Sequence, residues 1–158
     1  MNTYLLIKTL HILSSVLMVG TGFGSAFYLF FTHRTRNVQA IAEVSRLVVR
    51  ADTWFTAPAV VIQPLSGWYL ASQAGWTLDT PWIAAALGLY ALAGACWLPV
   101  VWIQLRLARW AAQAAADGSA LPARYWRWAR TWEWLGYPAF VAMLLVYGLM
   151  VMKPPLWG

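Results

Sequence analysis

The sequence predicts an all-α protein: a four-helix transmembrane bundle with both termini on the outer side of the membrane. Three observations carry that expectation. Of 158 residues, 61% are hydrophobic and 10% charged, where soluble domains carry about 25% charged residues. The apolar residues gather in four runs, at about residues 4–33, 52–72, 82–104 and 134–152 of a single integral membrane domain. Each is close to the ~20 residues a helix needs to cross a hydrocarbon core of roughly 30 Å. The basic residues alternate by connection. Arg34, Arg36, Arg46 and Arg50 follow the first run, and Arg106, Arg109, Arg124, Arg127 and Arg130 follow the third; none follows the second. Arginine-rich loops stay in the cytoplasm, which sets the topology. The same distribution tells against nucleic acid as a partner, because the net charge of +6 belongs to two loops beside membrane spans.

The first run holds no Asp, Glu, Lys or Arg between residues 10 and 31, and its one interior histidine is His11. Steps of four and three from His11 give Ser15, Met18, Gly22 and Ser25, with Lys8 one turn earlier. That spacing keeps side chains on one helical face. In lipid a polar stripe turns toward protein, water or a cofactor, so His11 is expected to look inward. Gly20 and Gly24 form a small-xxx-small pair, which suits close helix packing or leaves room for a flat ring.

Residues 34–51 are polar, yet 38–49 keep a helical period and should continue one span or the other at the interface. In the second run Asp52, Thr56, Ala59, Gln63 and Ser66 form another polar seam. Pro58 and Pro64 should kink this helix, and the carbonyls they free need partners at membrane depth. The short connection 73–81 carries Asp79 and no basic residue. Ala84, Gly88, Ala91 and Ala95 suggest a tightly packed face on the third helix, which Pro99 should bend. In segment 105–133 a turn at Asp117-Gly118-Ser119 precedes arginines interleaved with Tyr125, Trp126, Trp128 and Trp132, the composition of an interfacial helix at headgroup level. The last run is kinked at Pro138. Cys96 is the only cysteine and sits in an apolar segment, as a small buried hydrophobe would. The start lacks the basic n-region and short apolar run of a cleaved signal peptide.

His11 lies roughly 10 Å below the outer surface. At matching depth stand Gln63, Ser66, Tyr90, Met143, Tyr147 and Met150. Two readings fit this layer. In one, neutral His11 joins a structural hydrogen-bond network that locks the bundle. In the other, His11 is an axial ligand to the iron of haem b. Lys8, Met18, Gly22, Met143, Tyr147 and Met150 then complete the cofactor pocket, and Lys8 and Lys153 meet the propionates. His33 would lie about 33 Å along the helix from His11, so the two histidines cannot share one iron. Five-coordinate iron, a Met143 or Met150 second ligand, or pairing of His11 across a homodimer are the arrangements left open. At the cytoplasmic boundary a His33–Asp52 or Arg50–Asp52 pair is the default, with a proton or ion site as the alternative. No Walker loop, dinucleotide fingerprint, CxxC, HExxH or nucleophile elbow occurs.

As a whole the chain resembles the bacterial predicted integral membrane proteins of domain-of-unknown-function family 2269. The matching stretches are Lys8-Thr9-Leu10-His11, Gly20-Thr21-Gly22, Ala51-Asp52, Gln63-Pro64-Leu65-Ser66-Gly67, Trp97-Leu98-Pro99 with Gln104, and Met152-Lys153-Pro154. The resemblance implies a multi-pass protein of the bacterial inner membrane and no particular activity. The first helix alone is similar to that of the oxygen-independent protoporphyrinogen oxidase membrane family, through Lys8…His11 and Phe27-Tyr28-Leu29…His33. That likeness implies a haem ligand at His11. It does not carry over the oxidase activity, because the family's later functional lysine has no counterpart between Lys8 and Lys153.

Three functions follow as expectations. The first is a small haem protein with a redox or electron-transfer role through His11, which as an enzyme would be a haem-dependent membrane oxidoreductase. The second is a non-enzymatic scaffold or assembly subunit of a membrane complex, with His11 structural. The third is a proton or small-solute carrier, formed as an oligomer.

Overall fold

Side-chain caps and left-handed residues set the helix ends. Asn2 Oδ1 accepts the Tyr4 N–H at 3.0 Å and opens α1 (Thr3–Thr35), and Asn37 Oδ1 accepts the Ala40 N–H at 3.0 Å and opens α2 (Val38–Ala51). Such caps satisfy first-turn donors that have no partner within the helix. A π-helical turn, Asp52–Thr56, joins α2 directly to α3 (Ala57–Gln73). The Ala57 N–H reaches back five residues to the Asp52 carbonyl, just ahead of Pro58, whose missing N–H breaks the regular ladder. The turn before α4 (Pro81–Asp117) uses Gly75, and α4 closes on Gly118 at φ 64°, a conformation glycine takes without a Cβ penalty. Pro122 then leads into α5 (Ala123–Met152). The computed structural model describes residues 2–157. It is 87% helical with no strand among the described residues, so the all-α class holds.

Three helices, α1, α4 and α5, are long and apolar enough to cross a membrane. The expected fourth crossing, 52–72, lies in the continuous rod made by α2, the π-turn and α3, which is not apolar enough to join them. Glu43, Arg46 and Arg50 occupy its first half, and α3 alone has 17 residues, about 26 Å. The periodicity expected for 38–49 is there, as a continuation of the second helix. Glu43 accepts from Arg46 in an exposed pair, and that contact holds its carboxyl below the usual value. The expected interfacial helix in 105–133 is instead the far ends of α4 and α5. At 37 and 30 residues, these helices run about 55 and 45 Å and outreach a ~30 Å apolar layer.

Packing is uneven along the molecule. The continuous core of Leu29, Ile41, Val48, Ile103, Leu107 and Tyr125 lies at the arginine-carrying end, with Ala111, Ala114 and Trp132. There α2 packs on α4, and α4 on α5. Toward the other end α1 pairs with α3 and α4 with α5, but no Cα of α3 comes within 8 Å of α4 or α5. The outward faces are apolar, with Leu98 66% and Val151 81% exposed, as lipid contact requires.

Two expected small-residue faces are not used within the chain. A Cβ built on Gly20 or Gly24 meets nothing within 4 Å. On α4, Gly88, Ala91 and Ala95 look outward, while Ile83, Ala86 and Ala93 are buried. Small residues permit close approach without compelling it, and in lipid they can face acyl chains at little cost.

Candidate functional site

The seam expected on the second helix is real: Asp52, Thr56, Ala59 and Ser66 are buried and Gln63 is half-buried. It divides into two polar stations with a cavity beside them.

The first station joins α1 to α3. His11 Nδ1 lies 2.8 Å from Ser66 Oγ, and His11 Nε2 lies 3.3 Å from Gln63 Nε2. The proton positions follow from the donor inventory. Ser66 gives its one hydroxyl hydrogen to the Ile62 carbonyl at 2.6 Å, so its oxygen accepts from His11 Nδ1–H. Gln63 Nε2 can only donate, so His11 Nε2 accepts. Gln63 Oε1 in turn accepts from Ser14 Oγ. One pattern satisfies every atom, with His11 neutral. The ring edge also packs on bare backbone, because a Cβ on Gly67 would stand 3.1 Å from His11 Cε1. Ser14, and not the Ser15 of the stepped stripe, is the buried partner; Ser15 bonds its own helix at Ile12.

Tyr90 links α4 to α3 halfway along. Pro64 has no N–H to give the Val60 carbonyl one turn back, and Tyr90 Oη–H supplies the missing donor at 2.7 Å. Tyr90 Oη also lies 3.8 Å from Met18 Sδ. A freed carbonyl at membrane depth thus finds its partner on a neighbouring helix.

The second station gathers three helices around Asp52, which is 7% exposed. Its Oδ1 accepts from Thr56 Oγ1 at 2.7 Å and its Oδ2 from Gln104 Nε2. Trp132 Nε1–H, which can only donate, reaches Gln104 Oε1 at 3.3 Å and so fixes which way that amide points. The expected His33–Asp52 or Arg50–Asp52 pair does not form. His33 is buried against α5, its Nε2 2.9 Å from Tyr125 Oη and its ring edge-on to Trp126 and Trp132. The nearby arginines stack on aromatic rings, Arg36 on Trp126 at 3.8 Å and Arg34 on Phe30 at 4.3 Å.

Between the two helix pairs lies a cavity of about 550 Å³ with almost entirely carbon walls. Met18, Gly22, Phe23 and Phe27 form one side; Ala93, Gly94 and Trp97 another; Phe140 and Met143 a third. Polar groups converge at one end, where Asp52, Thr56, Gln104 and Glu133 reach the wall. Of the residues expected to form a cofactor pocket, Met18, Gly22 and Met143 line this space. His11 does not, nor do Lys8, Tyr147 and Met150, which are exposed.

This arrangement does not fit a haem. Both nitrogens of His11 hold protein partners and its edge is closed by Gly67. Sequence reasoning missed Gln104 and Trp132 as members of the Asp52 station. The one signal available was polar Gln104 at the edge of an apolar run.

Comparison with curated proteins finds no match, and comparison with solved structures finds none either. The family described as "Predicted integral membrane protein (DUF2269)" matches residues 5–154, nearly the whole chain, and to that family this protein belongs.

Proposed function

We propose that this chain is a non-enzymatic binding protein of the bacterial inner membrane that holds one amphipathic, lipid-like molecule in the cavity between its helix pairs. In this reading the rod from Asp52 to Gln73 makes a fourth crossing, the arginine-rich end is cytoplasmic, and His11 is structural. Positive-inside loops and the aromatic–arginine stacks at one end support the orientation.

The cavity carries the proposal. Its volume of about 550 Å³ lies within the roughly 300–1,000 Å³ of small-molecule sites. Its lining runs from Met18 to Phe31 on α1 and from Tyr90 to Gln104 on α4, some 20 Å of helix. Half of a ~30 Å hydrocarbon layer is about 15 Å, so the space is long enough for one leaflet of chain with part of its head. Its polar groups sit at the arginine-rich end, where a lipid head would lie.

The test is extraction and mass spectrometry of apolar molecules that stay with the detergent-purified protein. Gly94→Phe and Gly22→Leu should fill the cavity, since a Cβ at either position has open space around it. Both variants should lose the bound molecule while keeping their helical circular dichroism. Equal retention by both variants and the parent chain would refute the proposal. The same preparation should show no Soret band after expression with added haem, because His11 has no free nitrogen to offer.

A further inference from the structure

The polar end of the cavity has a definite chemical sense. Thr56 has given its hydroxyl hydrogen to Asp52, Trp132 its indole hydrogen to Gln104, and Gln104 one of its two amide hydrogens to Asp52. Donors left over on the cavity wall are neutral and few: the second Gln104 hydrogen, the Tyr137 hydroxyl and the Trp97 indole N–H. What remains in quantity is acceptor capacity, on the carboxylates of Asp52 and Glu133, both on the cavity wall.

Asp52 has no ion-pair partner, since the one salt bridge among the described residues is Arg46–Glu43; Glu133, only half-buried, has the positive charges of Arg34 and Arg130 acting on it. A buried carboxylate held only by neutral donors lacks a countercharge, and a cation placed beside it gains strongly in a low dielectric. A head that offers only acceptors, such as a free carboxylate or a quinone carbonyl, would instead bring acceptors to acceptors.

We propose that the molecule in the cavity is an amine-headed lipid whose primary ammonium donates to Asp52, with its chain along the Phe23, Ala93 and Phe140 walls. This rests on the cavity reading above and adds the chemistry of the head. Charge alone is not the criterion. A quaternary ammonium carries the same charge but has no hydrogen to donate, so the site discriminates between two zwitterionic lipids of equal net charge.

The experiment uses the full chain, stripped of lipid in detergent and then offered equal amounts of phosphatidylethanolamine, phosphatidylcholine and phosphatidylglycerol of identical acyl chains. Retained lipid is counted by native mass spectrometry. The ethanolamine lipid should be enriched about tenfold over each of the others. Asp52→Asn should bring the ratio to near one with its helical circular dichroism kept, and Asp52→Glu, which keeps the charge, should retain the preference.

Retention that depends on an open cavity but shows no head preference overturns this inference alone. So does a preference for phosphatidylcholine or phosphatidylglycerol, or one that Asp52→Asn leaves intact. Retention indifferent to Gly94→Phe overturns the cavity reading itself.

Discussion

Tyr90 and Pro64 are coupled through a carbonyl that belongs to neither. Proline at 64 removes the hydrogen that would meet the Val60 carbonyl, and Tyr90 Oη replaces it at 2.7 Å. Tyr90→Phe therefore orphans an acceptor that its own helix cannot satisfy. An unsatisfied buried acceptor costs about 1–3 kcal/mol, while interhelical side-chain hydrogen bonds in membranes average ~0.6 and reach ~1.7 kcal/mol. Because the proline prevents repair within the helix, the loss should fall near the upper membrane figure, about 1.5 kcal/mol. In Pro64→Ala the new N–H at 64 can bond the same carbonyl. Tyr90→Phe in that background should then cost about 0.5 kcal/mol or less by the same scale, mainly its contact with Met18. The coupling is thus about 1 kcal/mol. Reversible unfolding in mixed micelles, followed by tryptophan fluorescence, measures all four corners of the cycle. Equal losses from Tyr90→Phe in both backgrounds would refute the reasoning.

Three further outcomes are expected. Gly67→Ala places a methyl 3.1 Å from His11 Cε1 and should destabilise by about 1–3 kcal/mol, read as a lowered midpoint in the same titration; His11→Ala should relieve most of it. Leu107→Ala, in the fully buried core, should cost about 2–5 kcal/mol, whereas Leu98→Ala, 66% exposed to lipid, should stay within about 0.5 kcal/mol. Tyr125→Phe should leave His33 Nε2 without its 2.9 Å partner and lower stability by about 1–3 kcal/mol, with faster amide exchange at the start of α5.

Much of the geometry was legible because helical period acts locally. The seam of Asp52, Thr56, Ala59, Gln63 and Ser66 needs only a spacing to declare its face, and the need for a donor near Pro64 follows from proline's chemistry. Which partner answers a polar group is a different question. Asp52 meets Gln104 and not His33 because α2 continues into α3 and lies on α4, a relation between helices far apart in sequence. Ser14 and Ser15 illustrate the same limit at short range, since both stand near the face of His11 and only the crossing of α3 selects one. The length of α4 was readable and was not read: residues 105–116 are rich in Ala, Arg, Leu and Gln, strong helix formers. Their charge marks the end of the apolar run and says nothing about the end of the helix.

Why a cavity should exist at all follows from where the driving force for packing is found. At the arginine-rich end, beyond the apolar layer, burying Leu107, Ala111, Ala114 and Leu121 removes apolar surface from water. In the apolar layer that force is absent, because acyl chains solvate Leu and Phe as well as protein does. There the helices are drawn together only where polar groups demand partners, at His11 with Ser66 and Gln63 and at Tyr90 with Val60. Everything between those pins is free to stand apart. A gap walled by Ala, Gly and Phe, roofed by Tyr90 and floored by Asp52 is what such a distribution of forces leaves behind. On the proposed reading its content is then chosen by the one feature that lipid tails do not share, the Asp52 carboxylate at its polar end.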